Sequence, residues 1–499
     1  MPKIVEILKN HGPLASDVLA GKLVSQKATS SHSTARKQIQ RAVKCGDILS
    51  TYPVRFDKSY LYYLESHTIQ KYAKAVKKIL PKKPAFHRVY KMLLNNKGYI
   101  TSGQIAKSSG VVPNEAHYTT GKRIRLVNVI AQLLELGLIE KMGGYTDIYK
   151  IGKGFGTTQI KLGAFTKFLK LEQALLKDFV NWVQNIYIVG KKSYNVRCSE
   201  TETVEFNTTC WDFMAPVYLG PCTKSTEVYS KGKMIQAFAV IDVIAFRPFT
   251  EDDTKALLER LKTVTLKWRK IRVFPLALAM SYKRGALDML RKHGVAPLTY
   301  KEVWGRNIQE LLKLYKAIVL GDDSQNLDSI EKALSISESS VEKDGIFGNI
   351  KGDLFEVMTS LAYRPEYSTT LQKKIKSGLT GEDFEIDVVA IDGEKTCLLL
   401  ECKGRNLSEE ENKIEIKRHF EDRCRVASET YGWDITNRYK KVEAIYITTS
   451  EESLIPPEYI SESKCHGIIC HVMSRKEVIN FFNSVDRQLA ELIKKYYIN

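Results

Sequence analysis

The chain has 499 residues, 43% hydrophobic and 27% charged, with a net charge of +19. That length exceeds one ordinary core and predicts about three domains. No apolar run approaches the ~18 residues of a membrane span. The opening MPKIVEILKNHG mixes charged and apolar residues, unlike a secretory leader. Nine cysteines, none in a CxxC pair, fit reduced thiols in a cytoplasmic protein.

The charge is unevenly spread. Residues 1–150 hold 25 Lys/Arg against 9 Asp/Glu, an excess of 16, whereas the rest holds 51 against 48. A concentrated basic region beside a nearly neutral remainder predicts a polyanionic partner at the N-terminal end.

Residues 2–67 read as three helices and a hairpin. Apolar residues recur at helical spacing in KIVEIL and again after Pro13. The third helix, ARKQIQRAVKCGDIL, gathers Ile39, Ala42 and Val43 on one face, with Arg36, Lys37, Arg41 and Lys44 mostly elsewhere. TYPVRFDKSYLYYL then predicts two short strands about an Asp57-Lys58 turn. Residues 85–152 repeat this plan, with GKRIRLVNVIAQLLELGLIEK as third helix and MGGYTDIYKIG as hairpin. Both units resemble winged-helix domains, in which the third helix enters the major groove and the hairpin touches the backbone. That resemblance implies that Arg36, Lys37, Arg41, Lys44, Lys122, Arg123 and Arg125 meet double-stranded DNA. The connector KYAKAVKKILPKKP is basic enough to follow a phosphate backbone.

Residues 160–320 read as an α/β unit. They open on a long amphipathic helix and continue through strands around CWDFMAPVYL, MIQAFAVIDVIAF and IRVFPLALAM. Residues 346–499 show the same order of elements. Aligning the two sets Asp212 near Asp387, Asp242 near Glu401, and Ile244 where the later unit has Lys403. The earlier unit is therefore expected to be a copy without chemistry. The polar, Ser-rich residues 321–345 read as a linker or a small linking helix.

The candidate chemistry lies between Gly381 and Gly404. Two apolar runs flank Asp392-Gly393; the first carries Asp387 and the second ends Glu401-Cys402-Lys403. Opposed residues of an antiparallel pair share a face. A two-residue turn would pair Asp387 with Leu398 and send Glu401 to the other face, so a longer loop or a bulge is expected. Ser408 to Glu411 and Ser474 to Glu477 read as capping boxes opening helices. Lys413 and Lys417 share a face of the first, near a phosphate's reach. Cys465-His466 and Cys470-His471 have metal-ligand types, but strand alternation separates them.

Glu385-Ile386-Asp387-Val388-Val389 followed by Leu399-Leu400-Glu401-Cys402-Lys403 resembles the PD-(D/E)xK nuclease superfamily, in particular its Mrr-like and Holliday-junction-resolvase-like branches. The likeness covers about residues 346–485, and Ile386 replaces the usual proline. It implies a restriction-endonuclease-like fold and phosphodiester hydrolysis with 5′-phosphate products. It implies Asp387 and Glu401 as ligands of Mg²⁺ or Mn²⁺, with the Cys402 backbone carbonyl as a third, Lys403 at the attacking water, and Glu356 on a metal-bound water.

The expected architecture is thus multidomain. A winged-helix domain spans 1–70, and a basic connector and second winged helix span 71–155. A degenerate α/β domain follows at 160–320, a linker at 321–345 and a nuclease domain at 346–499. The expected activity is that of a DNA endonuclease of restriction or defence type, dimeric if both strands are cut. The alternatives are a DNA-binding regulator with an inactive nuclease fold and a junction-resolving or transposition-type nuclease. Solvated strand charges at Asp387 and a simple Glu401–Lys403 ion pair are the plain structural alternatives.

Overall fold

The computed structural model describes residues 3–110, 125–143, 145–191, 194–206, 208–217, 237–267, 273–321, 327–338, 345–430 and 435–498. The protein is a mixed α/β, multidomain chain. Its contacts divide it into two units, Met1–Ile160 with Phe179–Thr299, and Lys161–Asp178 with Tyr300–Asn499. This differs from the expected boundary, which kept 160–320 together. The physical reason is that side chains from 161–178 and from Tyr315 are ion-paired or hydrogen-bonded to carboxylates of the later residues, as described below. No described helix is long and apolar enough to cross a membrane.

The first unit opens with α1 (Lys3–His11), β1 (Leu14–Ala15), α2 (Ser16–Ser25), α3 (His32–Lys44), β2 (Leu49–Ser50) and β3 (Leu61–Tyr63). The small strand β1 was not anticipated; it pairs with β3, giving the order β1-β3-β2. Ser31 caps α3 by accepting from the Thr34 N–H at 3.2 Å. Ala35, Ile39 and Ala42 are buried on its inner face. The Asp57 turn is present, closed by paired hydrogen bonds between Phe56 and Ser59.

Helix α4 (Ile69–Ile79) lies in the stretch expected to be a basic connector. It is instead a packing element. Ala73, Val76 and Ile79 enter one core with Val54, Phe56 and Leu61 before it and Val89, Leu93 and Ile105 after it. Lys71, Lys74 and Lys78 remain exposed on its other side. Then come α5 (Pro84–Asn95), β4 (Tyr99–Thr101), α6 (Ser102–Ser109), α7 (Leu126–Glu135), β5 (Ile139–Lys141) and β6 (Ile148–Ile151). The sheet order β4-β6-β5 repeats that of the first module. The expected third helix stops at Glu135, because Gly137 (φ 64) ends it and Ile139–Lys141 is strand.

After α8 (Leu162–Asn185), the first unit continues with β7 (Asn195–Val196), a hairpin of β8 (Val204–Phe206) and β9 (Thr209–Trp211), then β10 (Phe213–Pro216) and β11 (Phe238–Ile244). Helix α9 (Glu251–Lys267), β12 (Val273–Ala279), α10 (Arg284–Lys292) and β13 (Ala296–Thr299) complete it. The sheet runs β13-β12-β11-β10-β7, with β10 antiparallel to β11 and the next two pairings parallel.

In the second unit, α11 (Arg306–Leu320) precedes α12 (Leu327–Glu338), α13 (Ile346–Tyr363), β14 (Ser368–Lys376), β15 (Asp383–Asp392) and β16 (Thr396–Lys403). Helix α12 occupies the expected linker and buries Ile330, Ala333 and Leu334, so it is a packed element. Next come α14 (Glu409–Lys417), a π-helical turn at Arg418–Arg423, α15 (Cys424–Glu429), β17 (Lys441–Thr448), β18 (Ser463–Cys465), β19 (Ile468–Met473) and α16 (Arg475–Val485). The six-stranded sheet runs β14-β15-β16-β17-β19-β18. One core on this sheet joins Val389, Cys397, Leu399 and Ala444 to Ile416 of α14 and Phe420 of the π-helical turn. Both capping boxes form, at Ser408/Glu411 and Ser474/Glu477.

Candidate active site

Strand register brings the candidate residues together. Val388 pairs with Leu400 and Asp392 with Thr396, which leaves Gly393-Glu394-Lys395 as the connecting loop. One step beyond Val388 and Leu400, Asp387 stands across from Glu401. The longer loop required for convergence is therefore present. The Asp387 Oδ2 accepts the Cys402 N–H at 2.8 Å, which pins the carboxylate to the end of the neighbouring strand. The Lys403 carbonyl accepts from Thr449 on the β17 side. Alternation along β16 thus turns the Cys402 carbonyl the same way as its N–H, toward Asp387.

Glu401 is 1% exposed at its side chain. Its Oε1 lies 2.9 Å from Lys403 Nζ and 3.0 Å from Arg423 Nη2. Its Oε2 has no hydrogen-bond partner among the described residues. Lys403 also reaches Glu415 of α14 at 3.0 Å. Burial and the facing Glu401 carboxylate push Asp387 up to about 6, against the pull of Lys403. Burial would lower Lys403, but Glu401 and Asp387 outweigh it and hold the ammonium charged.

Glu356 arrives from α13. Burial and the nearby Asp387 and Asp353 hold it well above the usual carboxylate range, although Lys167 opposes them. Lys167 of α8 sits 2.7 Å from Glu356 and 3.0 Å from Asp353, and Tyr315 of α11 donates to Asp353. Lys170, one turn on, pairs with Glu385. The start of α13 is itself held from α8: Asp178 accepts the Ile346 N–H at 2.9 Å. Gly345 (φ 76) is required there, since a Cβ would come within 2.8 Å of that carboxylate. Gln372 of β14 stands across β15 from Asp387, buried and with a positive φ of 51°. It is hydrogen-bonded at 3.4 Å by Thr166.

Lys167, Lys170, Asp353, Gln372, Glu415 and Arg423 were not found from the sequence. The charged residue buried one helical turn from another in Lys167-x-x-Lys170 was the available signal for the first two. Other expectations fared differently. Lys413 and Lys417 are exposed but paired with Glu458 and Glu421, at 3.5 and 3.8 Å. His419 is a buried core residue, bonded to the Leu399 carbonyl at 3.2 Å and held neutral by burial, with its pKa down to about 3. Arg36, Lys37, Arg41, Lys44 and Arg125 are all exposed. Lys122 and Arg123 lie outside the described residues.

The first unit carries the same register with a different outcome. Phe213 pairs with Ile241, so Asp212 stands one step beyond, across from Asp242. Asp212 Oδ2 accepts the Val243 N–H at 2.8 Å, as Asp387 does with Cys402. Here, however, Lys107 of α6 lies 2.6 Å from Asp212, and Arg197 lies 3.4 Å away. Arg260 of α9 grips Asp242 with both terminal nitrogens. Burial would raise Asp212, but Lys107 and Arg197 outweigh it and hold it low. Ile244 occupies the position corresponding to Lys403.

Among the described residues, no three His, Cys, Asp or Glu side chains are arranged to hold a metal ion. A cation between β15 and β16 would draw on two carboxylates and a main-chain carbonyl. The unsatisfied Oε2 of Glu401, the Asp387 carboxylate that burial leaves reluctant to ionise, and the direction of the Cys402 carbonyl fit such a group. Cys465 and Cys470 lie on paired strands as free thiols, and the Cys470 thiol donates to the Ile468 carbonyl at 3.6 Å. His471 stands 4.0 Å from Glu443 instead. No protein-family model matches this sequence, and no curated protein is significantly similar to it.

Proposed function

We propose that the chain is a metal-dependent endodeoxyribonuclease of the PD-(D/E)xK type. The observation that carries this is the facing of Asp387 and Glu401 at a β-strand end, with Lys403 two residues on and the Cys402 amide fixing Asp387. Asp387, Glu401 and the Cys402 carbonyl would hold Mg²⁺ or Mn²⁺. A cation bound there supplies charge neutralisation for the phosphate and lowers the pKa of water.

The protein's own groups have separable tasks. Lys403 is kept charged and donates toward the attacking water and the negative charge that develops. Glu415 limits where that ammonium can swing. Glu356, whose proton affinity is raised by burial and by Asp387, is placed to accept or return a proton beside that carboxylate. Lys167 fixes Glu356 by direct contact, a positioning task.

The two N-terminal modules are proposed to be winged helices that grip double-stranded DNA. Support comes from the repeated helix–strand–helix–helix–hairpin order, the shared sheet order and the exposed Arg36, Lys37, Arg41 and Lys44. The sheet containing Asp212 and Asp242 is proposed to be a copy whose site is filled by Lys107 and Arg260. One active site per chain nicks one strand, so cleavage of both needs two chains.

A DNA-binding protein with an inactive nuclease fold is what the Lys403–Glu401–Arg423 ion pairs would support by themselves. Supercoiled plasmid incubated with Mg²⁺ decides between the two. Nicking or linearisation by the parent protein, lost in Asp387→Ala and Lys403→Ala, is the expected result. DNA binding without cleavage, or cleavage that survives both substitutions, sinks the proposal. Branched against linear substrates then separates a junction-resolving preference.

A further inference from the structure

The ion pair between Arg423 and Glu401 is unfinished on both sides. Arg423 donates Nε to the Glu385 carbonyl and approaches Glu401 Oε1 through Nη2, both at 3.0 Å. Its Nη1 has no hydrogen-bond partner among the described residues, and neither has Glu401 Oε2. The two side chains are 10% and 1% exposed. A buried ion pair offsets its desolvation only when the remaining donors and lone pairs are satisfied.

The counterpart pair in the first unit shows what completion looks like. Arg260 holds both oxygens of Asp242, gives Nη1 also to the Cys210 carbonyl at 2.6 Å and Nε to the Ala256 carbonyl at 3.3 Å. There each of the three guanidinium nitrogens has an acceptor within the protein. Arg423 lacks one at Nη1 among the described residues, and it sits at the end of a π-helical turn, a widening that recurs at functional sites. Its loose end needs an acceptor, and the loose end of Glu401 needs a cation.

Resting on the nuclease assignment above, we propose that Arg423 is a phosphate-binding residue of this site. Nη1 takes a non-bridging oxygen of the scissile phosphodiester, beside the Glu401 carboxylate that Nη2 approaches. A guanidinium suits the task because it is permanently charged and presents two donor edges at fixed angles. Lys403 acts at the attacking water, so the two cations serve different atoms.

Arg423→Gln and Arg423→Lys, compared with the parent protein, test this through two measurements. These are Mn²⁺ titration of the DNA-free protein and single-turnover cleavage in Mg²⁺. Arg423→Gln is expected to cleave about 10²–10³-fold more slowly, the usual loss of one such donor. It is expected to bind Mn²⁺ at least as tightly as the parent, because a positive charge beside Glu401 has gone. Arg423→Lys, with charge but no second donor edge, is expected to lie about tenfold below the parent with Mn²⁺ binding unchanged.

A residue that only holds Glu401 in place predicts the opposite for metal: Mn²⁺ affinity falls along with cleavage. That result overturns the assignment. Cleavage by either variant within about threefold of the parent overturns it too. If Arg423→Gln does not fold, Arg423→Lys alone decides by the same two criteria. A parent protein that cuts no DNA sinks the nuclease assignment and this one together, whereas an active parent with an equally active variant sinks this one only.

Discussion

Asp387 is a carboxylate that the fold makes costly to ionise. Its pKa is raised from 3.8 to about 6 by burial and by Glu401. The folded protein therefore holds this proton more tightly than the unfolded chain. Below about pH 3.8 both states are protonated and nothing is lost; as pH rises to 6 the folded state loses stability relative to the unfolded one. The penalty at neutral pH is on the order of 2–3 kcal/mol. Asp387→Asn, which can still accept the Cys402 N–H, is expected to unfold at higher urea than the parent at pH 7.5 in EDTA. The gap should close as pH falls to 3.5. An Asn variant less stable than the parent at pH 7.5 would show that the carboxylate is structural. In the proposed site a cation needs Asp387 ionised, so Mn²⁺ affinity of the DNA-free protein is expected to fall as pH drops through about 6.

At the scale of elements, one antiparallel strand pairing occurs twice with different partners. In both, an Asp accepts the amide one residue past the facing acid. In the first unit Lys107 and Arg260 hold the acidic pair, with Asp212 Oδ1 left to Arg197 at 3.4 Å, and in the second Lys403 and Arg423 leave Glu401 Oε2 without a hydrogen bond. The likeness of the two strand pairs was legible because apolar runs and turn signals follow one another in the same order. The loop length was legible as a condition, since alternation decides which residues share a face. Lys107 was not legible as a partner of Asp212, because 105 residues separate them and no local pattern encodes the contact. Lys107→Met is expected to cost about 3–5 kcal/mol in urea unfolding, as breaking a buried pair does. Adding Asp212→Asn should return part of that loss. A single variant within 1 kcal/mol of the parent, on the order of an exposed pair, would show that the contact is weak.

At the scale of the whole molecule, basicity and chemistry sit in different stretches of chain. The excess of 16 positive charges lies in residues 1–150, while Asp387, Glu401 and Lys403 lie in the near-neutral remainder. Polyelectrolyte binding releases counterions in proportion to phosphates neutralised. Replacing Arg36, Lys37, Arg41 and Lys44 by alanine is therefore expected to flatten the salt dependence of DNA affinity by about 3–4 in slope. A slope unchanged by the fourfold substitution would mean that α3 does not face the phosphates. Cleavage of DNA bound at low salt should survive, since none of the four is near the carboxylates in sequence or in its module.

The sequence by itself determined the period and order of the elements, the repeat of two small modules, and the strand ends that carry Asp387, Glu401 and Lys403. These are local properties: spacing of apolar residues, capping pairs and turn residues act within a few positions along the chain. Only the tertiary structure decided that Lys167 and Lys170 face the carboxylates of α13 and β15, that Lys107 fills the earlier acidic pair, and that Arg423 meets Glu401 with one nitrogen unused. The reason is electrostatic. A buried charge must find its partner wherever the fold brings one, and that distance in space bears no fixed relation to distance along the chain.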